Sequence, residues 1–406
     1  MNRLLGKVLG CLSVVAAAPR GVCATAAIAA LGVATPPGVW AQNPQSPAGA
    51  EFPAAVGTAA SKLLCDCLTA LSTKGSPTGT QFYADGVWHG AQEQAWPART
   101  APGAAAAALW RWGTVEDFLV LPRQRCFCLA VETFDRAIRD RKNADGSFGP
   151  PDLPEAMFFG VELGSAYFHL EPALDAATRR RWREALTGMV DALLARGDLD
   201  NGRRNGYPNG NLELGATQLV YYAWKASGEA KYETLFQRQW DFLIAPPQQR
   251  WRGFGLFYTR PPTRPDGADG MAFLAESGGG APGFDPYYTM LQADIAARLY
   301  LFSGDPRFLR LVNLLVNQLL PRVERTAWII DCSGGSRKSL NAPFFTGALA
   351  VAAWQGKRDD LRPLVPAQLR VIARQFLAAS GQGWMAPGMY RGLAGQIGVI
   401  MEAARR

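Results

Sequence analysis

The chain has 406 residues, of which 48% are hydrophobic and 19% charged, with 43 Gly and 28 Pro. That is enough apolar material for one large core or several ordinary domains, and too little charge for a disordered chain or a coiled coil. Only two histidines, His89 and His169, accompany a formal charge of +8, so a His-rich metal centre is all but excluded. No cofactor and no nucleic-acid partner is expected.

Arg3 and Lys7 precede an apolar stretch from Val8 to Ala18, and a second runs from Val22 to Ala34. Val39-Trp40-Ala41 then offers small residues at the positions a secretory cleavage needs. Pro19, Arg20, Pro36 and Pro37 interrupt the stretch, which falls short of the roughly 20 uninterrupted apolar residues of a span. Residues 1–41 therefore read as a signal peptide, 42–54 as a linker and 55–406 as one domain. The product is expected to be periplasmic or secreted, without stable membrane insertion. Removing the signal takes three basic residues and leaves a charge of +5, compatible with an acidic substrate. The mature chain keeps Cys65, Cys67, Cys126, Cys128 and Cys332. The Cys-x-Cys spacing is too short for zinc, so a disulfide between the pairs or simple burial is expected.

Helical periodicity predicts elements over 52–73, 104–120 and 124–142. After these, one pattern recurs: an apolar helix, a short polar turn and a second amphipathic helix. The first copy runs from Ala156 past His169 to Leu193. The next runs from Tyr221 through Gly228 to Leu243, and another from Leu299 through Gly304 to Leu319. A fourth spans Ala352 to Phe376, and a last helix covers 391–405. Apolar residues fall at i, i+3, i+4 and i+7, and Gly at the turn suits a left-handed helix cap. About twelve helices in pairs that cannot bury their faces alone must stack. We expect an all-α fold, an (α/α)6 toroid with no appended β-domain.

Turns inside the pairs are short, whereas the segments entering them (75–103, 143–154, 198–211, 246–285, 326–343 and 379–390) are long and polar. In an up-and-down arrangement these all emerge at one end, as when a scaffold carries a site on its loops. They bring Asp85, Trp88 and His89, then Asp145, then Arg204, Tyr207, Asn209, Asn211 and Glu213. Asp285, Tyr287, Tyr288, Arg337, Lys338, Trp384 and Tyr390 follow. Aromatic faces stack on sugar rings, while amides and carboxylates bond hydroxyls, so a polysaccharide or oligosaccharide is the expected partner.

Asn209-Gly-Asn211-Leu-Glu213-Leu-Gly215 and Gly283-Phe-Asp285-Pro-Tyr287-Tyr288 resemble segments of the α/α-toroid polysaccharide-degrading enzymes, the alginate, heparin and chondroitin lyases among them. The resemblance implies an Asn that neutralises a uronate carboxylate and a Tyr or His that removes the C5 proton. No His follows Asn209, Asn211 or Tyr288 here, a departure from that pattern. Elimination needs donors for the developing enediolate, which Asn209 or Asn211 with Arg204 or Arg337 could supply. It also needs a base, for which Tyr288, Tyr207 and His89 are candidates. The alternative is a glycoside hydrolase on the same toroid, drawing a carboxyl pair from Glu213, Asp285, Asp85 and Asp145. A third class is a glycan-binding protein without catalysis.

Overall fold

The computed structural model describes residues 51–74, 81–84, 87–90, 96–141, 153–199, 209–245, 255–277, 282–344, 346–381 and 387–406. Thirteen α-helices appear in these residues: α1 (Glu51–Lys74), α2 (Trp96–Trp112), α3 (Val115–Val120), α4 (Arg123–Arg141), α5 (Leu153–Leu170), α6 (Ala176–Ala195), α7 (Gly210–Ser227), α8 (Ala230–Ile244), α9 (Pro286–Ser303), α10 (Pro306–Leu319), α11 (Ala348–Trp354), α12 (Leu364–Gly381) and α13 (Pro387–Arg405). Helices α2, α5, α7, α9, α11 and α13 pack each on the next, and α13 returns to α2. This closes an inner ring. The others, apart from the short α3, lie outside it: α4 on α2, α6 and α8 on α7, α10 on α9, α12 on α11 and α1, and α1 on both α13 and α2. The chain is an (α/α)6 toroid.

Local chemistry explains the ring. Inner helices hand over to outer ones through tight turns in which Gly228 (φ 73°) and Gly304 (φ 68°) take the left-handed conformation and cap α7 and α9. Asp305 then opens α10 by accepting from Arg307 N. Inner helices also need smooth contact faces. A Cβ on Gly164 would lie 2.1 Å from the Tyr222 ring, and one on Gly215 2.2 Å from Met157 Sδ, so α5 and α7 approach through glycine. Trp182, Trp240 and Phe308 are buried among the helices of the two layers. Closure is direct, since a Cβ on Gly57 in α1 would lie 2.9 Å from Ala404 Cβ in α13.

Three details depart from the sequence reading. The helix expected over 104–120 is two, because Thr114 and Asp117 form a capping box that starts α3 afresh after Gly113. Helix α2 begins at Trp96, ahead of the expected start at residue 104, and carries Pro102 within it. Helix α1 begins at Glu51, inside the segment expected as linker. Between helices, the long segments hold small antiparallel sheets: β1 (Gln81–Ala84) with β2 (Val87–Gly90), β3 (Leu256–Arg260) with β4 (Met271–Leu274), and β5 (Val323–Glu324), β6 (Ile329–Ile330) and β7 (Ala342–Pro343) in that order. Strands this short leave no readable alternation. Cys65, Cys126 and Cys332 are buried free thiols and Cys128 is half-buried, so burial is the outcome for the described cysteines. The side chain of Cys67 lies outside the described residues.

Candidate active site

Every outer helix passes to the next inner helix through one of the long segments, so these gather where the inner helices begin. We call this end the loop rim and the opposite end the turn rim. Asn209 occupies the N-cap position of α7, where its carbonyl accepts from Leu212 N and Glu213 N but its side chain does not bond the helix. Its Oδ1 instead accepts from Arg337 Nη1 at 2.9 Å, and the same nitrogen reaches Glu276 Oε2 at 3.0 Å. Glu276 follows β4, and its backbone bridges Asn209 on one side and Gly283 on the other. Its Oε1 accepts from Asn211 N at 2.6 Å and Gln292 Nε2 at 2.9 Å. The Arg337 guanidinium stands 4.2 Å from the centre of the Tyr288 ring, within cation–π range. Tyr287 crosses the Tyr288 ring edge-on at 5.6 Å.

Asp285 fastens this assembly. Its Oδ1 accepts from Tyr288 N at 3.1 Å and caps α9, while Oδ2 accepts from Arg337 N and Lys338 N, both at 2.7 Å. Three backbone donors thus occupy a fully buried carboxylate. Ser336 Oγ adds a bond to Glu276 O at 2.6 Å. The loop carrying Arg337 is therefore sewn to the first turns of α7 and α9, and Arg337 is aimed by its own backbone.

Glu276 has no exposure, and burial pushes its pKa up to about 7 against the pull of Asn211 N–H, Arg337 and Gln292. Burial likewise pushes Tyr288 up to about 12, with Arg337 opposing and Glu276 and Asp285 adding to the rise. Glu213, in the first turn of α7, is 4% exposed, and burial alone pushes it up to about 8. Among the described residues no cation or donor relieves it. Two residues away, Asn211 Oδ1 is buried without a partner. An uncompensated carboxyl and an orphan amide oxygen, two residues apart in one helical turn, are each unfavourable to bury. Deeper in the ring, Tyr222 OH meets Gln218 Nε2 at 2.8 Å and Ser165 Oγ at 3.1 Å. Asp294 gathers Thr346, Gln396 and Ala348 N, and burial pushes it up to about 6.

The structure brings Asn209, Asn211, Asp285, Tyr287, Tyr288, Arg337 and Lys338 to one cluster, with Glu213 on the same first turn of α7. Trp88 and His89 lie on β2, paired through their backbones with Tyr83 and Phe82, and their side chains are outside the described residues, as is that of Tyr390. Asp85, Asp145, Arg204, Tyr207 and Trp384 fall outside the described residues altogether. His169 is buried at the far end of α5, 3.9 Å from Glu402, and burial with three nearby arginines pulls its pKa down to about 3. Glu276 and Gln292 were not singled out from sequence. Glu276 sits before Ser277 and a run of glycines, and Gln292 is one polar residue on an apolar helix. Their importance arises from partners 61 and 16 residues from Glu276 in the chain.

The molecule thus belongs to the class of α/α-toroid proteins with a polar cluster at one mouth. No family model matches the sequence, and no curated protein matches it. Among solved structures, the chain is similar to an unsaturated glucuronyl hydrolase from Streptococcus agalactiae, with 14% identity and a TM-score of 0.48 over 86% of this chain and 91% of that one. It is also similar to a family 76 glycoside hydrolase from a bovine Bacteroides thetaiotaomicron strain, with 12% identity and a TM-score of 0.46 over 84% and 77%. An α-1,6-mannanase from Salegentibacter aligns at 10% identity and a TM-score of 0.42 over 84% and 99%. Likeness at this distance is architectural and says nothing about this site.

Proposed function

We propose that the chain is an exported polysaccharide-degrading enzyme working at the loop rim, and that it cleaves glycosidic bonds by hydrolysis with Glu213 as the general acid. The observation that carries this reading is the lone buried carboxyl of Glu213 in the first turn of α7, raised by burial with no described cation or donor to relieve it. A carboxyl held neutral at neutral pH can protonate a leaving glycosidic oxygen, which an ordinary surface glutamate cannot do. Arg337, Asn209 and Glu276 hold the mouth around it, and the aromatic rings of the rim offer faces for sugars. Because the Asp285 carboxylate is saturated by backbone donors, the ionised partner is drawn from Asp85 or Asp145. A sugar hydroxyl donating to Asn211 Oδ1 would satisfy the orphan atom on binding.

A second reading is β-elimination on a uronate polymer. It rests on Arg337 beside Tyr288, since a cation and two asparagines could neutralise a substrate carboxylate. Burial of Tyr288 works against it, because a tyrosine pushed up to about 12 is a poor base at neutral pH. The test is the purified chain on a panel of acidic and neutral polysaccharides, followed by reducing-end release and by ultraviolet absorbance of unsaturated uronate. Reducing ends without absorbance, lost in Glu213→Gln, is the expected result. Absorbance rising in step with reducing ends, and surviving Glu213→Gln, would overturn hydrolysis in favour of elimination.

A further inference from the structure

The turn rim carries a surface that the candidate site does not use. Helix α3 is anchored by its buried member: Asp117 accepts from Ser61 Oγ at 2.6 Å and from Thr114 N and Oγ1, both at 2.8 Å. So anchored, the helix turns Val115, Leu119 and Val120 outward, at 76%, 82% and 60% exposure. Exposed apolar residues are ordinary when scattered singly. Here three share one short helix. Basic residues surround it. The Arg123 guanidinium lies 4.7 Å from the Trp110 ring, and those of Arg111 and Arg406 lie 5.3 and 5.4 Å from the Trp112 ring. Exposed Arg405 sits over Gly57, where a Cβ would be 3.8 Å from its Nε. Among the described residues no carboxylate forms an ion pair with Arg123 or Arg405, Arg111 lies close enough to the buried Glu402 to pull on its pKa, and Glu116 is the one exposed acid on α3. The N-terminal end of α1 opens at this same place.

We propose that this face docks the folded domain peripherally on an anionic lipid surface. Val115, Leu119 and Val120 enter the headgroup layer, and Arg111, Arg123 and Arg405 meet lipid phosphates. An apolar strip lying in the interface and a ring of cations are the two components of such binding. A second copy or an uncharged protein partner would cover the apolar residues but would offer no anion to those arginines, of which Arg111 is held on the Trp112 ring and Arg123 on the Trp110 ring and carbonyl. Docking by the turn rim points the loop rim away from the lipid.

The test is sedimentation of the purified chain with vesicles of phosphatidylcholine, alone or with roughly a third phosphatidylglycerol. Binding to the anionic vesicles is expected, weakened by added salt, and reduced about tenfold by Leu119→Glu and likewise by Arg405→Gln. Because the N-terminal segment could itself hold the chain to vesicles, a second readout is local. Leu119→Cys carrying an environment-sensitive dye is expected to shift to the blue on anionic vesicles. No binding, equal binding to neutral vesicles, or an unshifted dye would overturn the proposal. Self-association that is lost in Leu119→Glu, without any vesicle binding, would assign the face to a second copy.

Discussion

Glu213 separates what the sequence discloses from what only the fold supplies. Its place near the start of an inner helix followed from the pattern of its neighbours, but a carboxyl raised to about 8 is a property of the walls around it. The sign of its pH effect can be worked out. An unfolded glutamate ionises above about 4.3, whereas folded Glu213 holds its proton up to about 8. Between those values the folded state binds more protons, so stability falls as pH rises through the window. Thermal midpoints measured at pH 5 and pH 8 should differ less in Glu213→Gln than in the parent, while turnover at neutral pH should fall by about 10²–10⁴. An unchanged pH slope would mean that the carboxyl is not buried as described. Arg337 and Glu276 form the other residue-scale test. Arg337→Ala leaves a fully buried carboxylate without its cation, at a cost of about 3 kcal/mol. Denaturant unfolding of the double variant with Glu276→Gln should recover part of that loss, because the two positions act as one unit.

At the scale of elements, caps and glycines were readable and long-range stitching was not. Gly228 and Gly304 announced their turns, and Asp285-Pro286 marked a helix start. The second task of Asp285 was invisible, because the loop it fastens lies 52 and 53 residues further on. Asp285→Ala should release that loop and cost on the order of 3 kcal/mol, and amide hydrogen exchange should rise first at Arg337 and Lys338. Gly164 belongs to the contact between α5 and α7. Gly164→Ala raises helix propensity yet drives a methyl into the Tyr222 ring, so a net loss of about 1–3 kcal/mol is expected in place of a gain. The capping box at Thr114 and Asp117 was also legible in principle, as a Thr-x-x-Asp motif after Gly113. It escaped notice because apolar residues continue on both sides of it.

The whole molecule was legible as a count of helical pairs with unequal connections, since short turns on one side and long polar segments on the other force one decorated end. Closure was the harder step. An open array and a ring use the same local signals, and only the packing of α13 on α1 and α2 distinguishes them. A ring has consequences that an array lacks. Removing the last helix from a solenoid shortens it, whereas removing α13 with residues 382–406 here opens its interfaces with both α11 and α2 at once. Calorimetry should therefore find one transition in the parent and no cooperative transition in the truncated chain. A truncated chain that still melts sharply would argue for an array.

The meeting of Gly57 with Ala404 also bears on how the chain could be rewired. Because the first and last helices finish side by side, the order in which the pairs are translated is not imposed by the closed shape. A short tether from Arg406 to Glu51 would make the circuit endless, and new ends cut at the Gly304-Asp305 turn would divide the pair α9–α10 and leave the others intact. In such a permutant α10 would be synthesised first and α9 last. Only the parting of α9 from α10 would separate what now folds as neighbours.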